Sequence, residues 1–244
     1  MRRQFLKIYL AIFFLTTSTL FGQSLENLKL PEPKRFIDKV EVFGGVALNI
    51  PNDKGWGNFI FSSSNGQTIY ESKEKTGYIL GISLIRSMMK RFEIQGRFSL
   101  EQRKYFESYI TLDFDGDPYS ESISDQKNSY LNFSLVPTYF LLKPNRLHIF
   151  SGLSYSYLTK SLAYGETYVN GEYVGSVSID TIDGFEKHVF DALAGVGYVF
   201  PLRDKFNCVI RIQGNYGLSN SIMQNYYKLS VNSLSLTLAF QYKK

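Results

Sequence analysis

Cysteine is nearly absent from these 244 residues: Cys208 stands alone, so no internal disulfide staples the fold. Histidine is almost as scarce, with His148 and His188 the whole supply, which leaves little for a metal centre or a catalytic base. No apolar run after residue 22 reaches the roughly 20 residues that a membrane-spanning helix needs. A surplus of one charge is missing too. The chain holds 27 Lys and Arg against 22 Asp and Glu, but Arg2, Arg3 and Lys7 precede the short apolar run Ile8 to Leu15 in the pattern of a secretion signal. Without those three the balance is near neutral, and nothing resembles the clustered basic patch of a nucleic-acid-binding domain.

What is abundant is aromatic residues, with 18 Tyr and 20 Phe, set in stretches that alternate apolar with polar. Residues 1–22 are expected to be a signal peptide, cleaved before Gln23. Residues 23–38, with Pro31 and Pro33, are expected to be a periplasmic leader, and 39–244 one β-domain. Period-two alternation marks a strand, since successive side chains leave opposite faces of the pleat. The chain's last stretch shows it best: Leu234, Leu236, Leu238, Phe240 and Tyr242 alternate with Ser233, Ser235, Thr237, Ala239 and Gln241. Seven more stretches alternate, beginning near Val40, Gly77, Phe92, Tyr130, Leu147, His188 and Phe206. Cys208 falls on the apolar face of its stretch. Pro137 sits inside the fourth, where a bulge or a break in pairing is expected because proline cannot donate to a ladder.

The connections run long, short, long, short, long, short, long. The four long ones carry 14 Asp and Glu against 7 Lys and Arg, whereas the short ones are basic. This is the pattern of an all-β, eight-stranded antiparallel transmembrane β-barrel with short periplasmic turns and four long outer loops. Three of those loops hold Asn65-Gly66, Asp115-Gly116 or Asn170-Gly171 between β-forming residues, so three are expected to be hairpins that extend the wall. A soluble barrel would put its apolar face inside, but here the charged residues share the face opposite the Phe and Leu stripe.

The phrase YLNFSLVPTYFLL (130–142) with its mid-strand proline, IFSGLSYSYL (149–158), ALAGVGYVF (192–200) and the aromatic-ended last strand resemble the PorT-like outer-membrane β-barrel proteins of Gram-negative bacteria. The resemblance runs from Val40 to Tyr242. It implies a barrel of unknown or accessory function, with some members linked to type IX secretion and gliding, and it carries no catalytic motif to transfer.

Chemistry-bearing constellations are few. Arg97 and Arg211 face inward on opposed strands, with Glu41, Glu93, Glu101 and Asp191 at neighbouring depths. In a barrel only wide enough for its own side chains, this reads as a charge-paired plug of the lumen. His188, near Glu186 and Asp191, is the one candidate for an outer-rim hydrolase. Asp113, Asp115 and Asp117 miss the glycine and the final Glu of a calcium loop, and Gly195-Val196-Gly197 lacks the third glycine of a dinucleotide site. No catalytic residue, metal ligand or cofactor is assigned. Tyr168, Val169, Tyr173 and Val174 flank the Asn170-Gly171 turn beyond the reach of any bilayer, as candidate anchors for a partner or as part of a lid. The expected role is non-enzymatic: interaction or envelope assembly through the outer loops, with a secretion accessory among the options and an outer-rim enzyme or a narrow pore as the alternatives. The expected partners are outer-membrane lipid and lipopolysaccharide, the barrel assembly machinery and a protein at the outer loops, with no nucleic acid.

Overall fold

The computed structural model describes residues 37–53, 59–63, 66–113, 115–141, 146–219 and 229–243, and the expected signal peptide and nearly all of the leader lie outside them. Ten strands follow in order: β1 (Lys39–Asp53), β2 (Phe59–Ser63), β3 (Gly66–Met89), β4 (Phe92–Leu112), β5 (Pro118–Phe140), β6 (Leu147–Val169), β7 (Glu172–Asp180), β8 (His188–Arg203), β9 (Phe206–Gly217) and β10 (Leu229–Lys243). Eight of them close a ring. β1 pairs antiparallel with both β10 and β3, and β3, β4, β5, β6, β8, β9 and β10 complete the circuit.

The alternation in sequence becomes a difference between two surfaces. Val46, Leu80, Phe98, Phe133, Leu153, Phe190, Ile212 and Phe240 lie exposed on the outside, while Glu41, Gln95, Arg97, Glu101, Arg103, Asp191 and Arg211 are buried inside. An apolar belt of this extent has no place in water. A closed ring satisfies its backbone with no edge toward lipid, so this is a barrel of the outer-membrane type. Cys208 lies on the lipid side between Phe200 and Phe240, half-buried.

The turns at one end are tight, with Lys90-Arg91 and Asp204-Lys205 linking their strands. At the other end the strands overshoot. β3 to β6 run 21 to 24 residues, about twice the 9 to 11 that cross a bilayer. Above the ring they form an open antiparallel sheet in the order β2-β3-β4-β5-β6-β7, with β2 and β7 at its edges. Register shifts mark the changeover, on β3 between Glu74 and Tyr78 and on β6 opposite Ser129 and Tyr130. Bulges of this kind bend strands at barrel rims.

The three expected hairpins differ at their tips. Asn170 and Gly171 both have positive φ, 49° and 79°, the type I′ geometry that Asn-Gly suits, and Val169 pairs with Glu172 across them. The Asp115-Gly116 turn is wider than the expected two residues. The Asp113 carboxylate accepts the N–H groups of Asp115 and Asp117, and this cap forms the turn. In the first hairpin Ser63 pairs with Gly66, so Gly66 closes the turn from outside, and residues 64–65 lie outside the described set. Pro137 produces a break without a bulge: pairing with β6 lapses at Val136 and Pro137 and resumes in the same register at Thr138. Gly152 stands beside the break, where a Cβ would be 2.1 Å from the Leu135 carbonyl oxygen.

Candidate functional site

Two regions could carry function: the lumen and the outer sheet. The lumen is built in levels. At the turn end Lys39 pairs with Glu93, and its amine also stands over the Phe140 ring. Above this the Arg211 guanidinium forks onto Glu41, with Nη1 to Oε1 at 2.7 Å, and Ser83 donates to the same carboxylate. Arg97 takes different partners. It donates to Gln213 at 2.8 Å and to Gln95 through Nε and Nη2, and its guanidinium stacks 4.9 Å over Phe150. Higher still, Arg103 donates to Glu101 and, at 2.6 Å, to Asp191, while Asn132 donates to Glu101. Tyr130 supplies the face under Arg103.

The six lumen residues named from sequence are all inside, in four groups: Glu93 with Lys39, Glu41 with Arg211, Glu101 and Asp191 on Arg103, and Arg97, which meets Gln95 and Gln213 and, among the described residues, no carboxylate of its own. Arg103 and Lys39 complete the pairing and were not among them. Arg103 was legible as an inward position on the same alternation as Arg97, but its role as the partner of both Glu101 and Asp191 depends on the stagger between strands. Between the Arg211 and Arg103 levels a cavity of about 20 Å³ remains, room for a water or two. Toward the outer end of the lumen an apolar cluster follows: Tyr105, Tyr130, Leu158, Val189 and Val231 pack with Phe185, which follows a 3-10 turn at Ile182–Gly184. Inward glycines make room for rings. A Cβ on Gly197 would lie 2.4 Å from His148 Nε2, and one on Gly195 would lie 2.5 Å from Phe150.

The histidines do not assemble a hydrolytic site. His148 is buried in the lumen near the turn end, beside Phe140 and Phe150. His188 faces outward, with Nδ1 2.6 Å from the Tyr155 hydroxyl, while Asp191 lies on the other side of the wall against Arg103. Among the described residues no group of three His, Cys, Asp or Glu could hold a metal ion.

In the outer sheet, β7 pairs among the described residues with β6 alone and is exposed along almost its whole length. Thr181 N–H donates to Ser161 O, and antiparallel alternation then turns the backbone of Gly175, Val177 and Ile179 toward β6. Ser176 and Ser178 turn theirs outward. Of the four residues expected at the hairpin, Tyr173 and Val174 are well exposed, at 57% and 64%. Tyr168 and Val169 are half-buried. Tyr168 meets Tyr173 edge-on at 5.7 Å and donates to Glu166, which pushes its phenol pKa up.

No protein-family model matches the chain, and no curated protein does. Solved structures similar to it include Ail of Yersinia pestis in complex with the heparin analogue sucrose octasulfate, at 12% identity over 85% of this chain and 100% of that one, with a TM-score of 0.42. The outer membrane protease OmpT of Escherichia coli is 9% identical over 87% and 99% of the two chains, with a TM-score of 0.44. The outer membrane protein OprG of Pseudomonas aeruginosa is 12% identical over 85% and 96%, with a TM-score of 0.33. Likeness at this level extends to no activity and no ligand.

Proposed function

We propose that this outer-membrane β-barrel is a non-enzymatic interaction protein that works through the open edge of its outer sheet, with its lumen serving as a filled structural core. The observation that carries the reading is β7: a nine-residue strand beyond the ring that, among the described residues, pairs on one side only. Unpaired donors and acceptors along such an edge are a template for another strand, and Tyr173, Val177 and Ile179 offer side-chain anchors beside it. The lumen supports the same reading, because ion pairs and an apolar cap occupy the path a solute would take. Assembly into the envelope or membership of a type IX secretion system is the finer role that the resemblance to PorT-like barrels implies, and it enters on that ground. The barrel assembly machinery is the expected partner during insertion.

The test uses the outward-facing backbone. A photo-crosslinking residue at Ser176 should give a discrete adduct in outer membranes of the native host. Ser178→Pro, which removes an outward N–H while leaving the bonds to β6, should abolish that adduct in a barrel that still folds. No adduct, or one the proline leaves unchanged, contradicts edge docking.

A further inference from the structure

On the lipid-facing side, just above the apolar belt, the structure assigns a second site: a cationic hollow that binds the phosphate of an outer-leaflet glycolipid headgroup. The hollow measures about 290 Å³ and is lined by Lys75, Thr76, Lys104, Asp125, Gln126 and Lys127. Its volume lies just under the roughly 300 Å³ at which small-molecule sites begin, a size suited to one headgroup phosphate. Three lysines and a single acid line it.

Lys104 and Lys127 are directly opposed in the β4–β5 register. Arg103 and Gln126 on either strand point inward and are buried, so alternation sends both lysines outward on the same face. Directly opposed residues hold their Cβ atoms roughly 5 Å apart, and like charges there destabilise a sheet. Neither lysine has an ion-pair partner among the described residues. Asp125, the only acid in the lining, is already paired with Lys75, whose amine also stands 5.6 Å from the Phe106 ring centre. The fold thus keeps two unneutralised cations side by side, a cost that a phosphate bridging them would remove.

Height selects the source of that phosphate. Moving up the outer face of β4, Phe98 and Leu100 give way to Gln102 and then Lys104. On β5, Phe133 and Leu131 give way to Ser129 and then Lys127. Four residues along a tilted strand is a rise of roughly 9 Å, which carries the lysines from the hydrocarbon boundary into the headgroup layer. A lipid whose acyl chains lie along Leu100, Leu131 and Phe133 would present its phosphorylated sugar at this hollow. Lys160, exposed on β6 where it pairs with Ser129, continues the basic arc toward the neighbouring strand.

The experiment uses the mature barrel in nanodiscs of neutral phosphatidylcholine. Three probes are added: a bisphosphorylated acylated diglucosamine (lipid A), the same lipid after enzymatic removal of both phosphates, and inorganic phosphate. Wild type should retain the phosphorylated lipid in native mass spectrometry. Lys104→Gln and Lys127→Gln should each weaken retention about tenfold, the effect of losing one charge-assisted contact, while Lys90→Gln at the opposite end should leave it unchanged. A folding readout gives an independent sign. Without the lipid, Lys127→Gln should raise the unfolding temperature by relieving the like-charge pair, and with the lipid it should lose the increase that wild type gains. Equal retention by wild type and both variants overturns the site. So does equal retention of the dephosphorylated lipid, or inorganic phosphate binding as tightly as the lipid.

Discussion

At the residue scale, the lumen shows how a membrane barrel keeps charge inside. Glu41 is completely buried, and Arg211 gives it two hydrogen bonds across the barrel. Removing one member of such a pair leaves the other ionised in a low-dielectric interior, a loss of roughly 3 to 5 kcal/mol, whereas replacing both with apolar groups is often close to neutral. Glu41→Ala should therefore lower unfolding stability in lipid vesicles by that amount, and Glu41→Leu with Arg211→Leu should recover most of it. A single variant no worse than the double would show that the pair is not buried as described. The face of each of these residues was readable from alternation. Partner choice was not, because it depends on how far each strand is staggered against the next. Glu101 and Asp191, from opposite parts of the ring, meet on Arg103 and not on Arg97.

At the scale of the element, the strands were legible wherever lipid and lumen impose a contrast. β10 alternates from Ser233 to Gln241 because one face meets hydrocarbon and the other a polar interior. Leu238, set between Gly44 and Ile210 on the lipid side, should tolerate Arg poorly, at a cost of about 2 to 4 kcal/mol near the bilayer midplane. Leu238→Phe should fold as wild type does. Comparing the two in vesicle refolding checks the phase, and equal yields would contradict it. Where the contrast ends, the alternation ends with it. The first eight residues of β5, PYSESISD, are exposed or half-buried on both faces and carry no apolar period, so the length of the outer sheet had no sequence signature beyond its turns. Asp113 capping its own turn is a local hydrogen-bond preference that the Asp-Gly pair alone does not announce.

For the whole molecule, the proposed roles divide along the membrane normal. The ring anchors and is filled, the lipid-facing rim recognises a headgroup, and the sheet above it offers an edge to a partner. The filled lumen is the part on which the rest depends, since a conducting channel would make the outer sheet an accessory to transport. Its closure comes from the Arg211 and Arg103 ion-pair levels and from the cap that Phe185 completes. Reconstituted into planar bilayers and held under voltage, the wild-type barrel should pass no stable ionic current. Steady single-channel conductance in that assay would contradict the account and assign the function to the lumen.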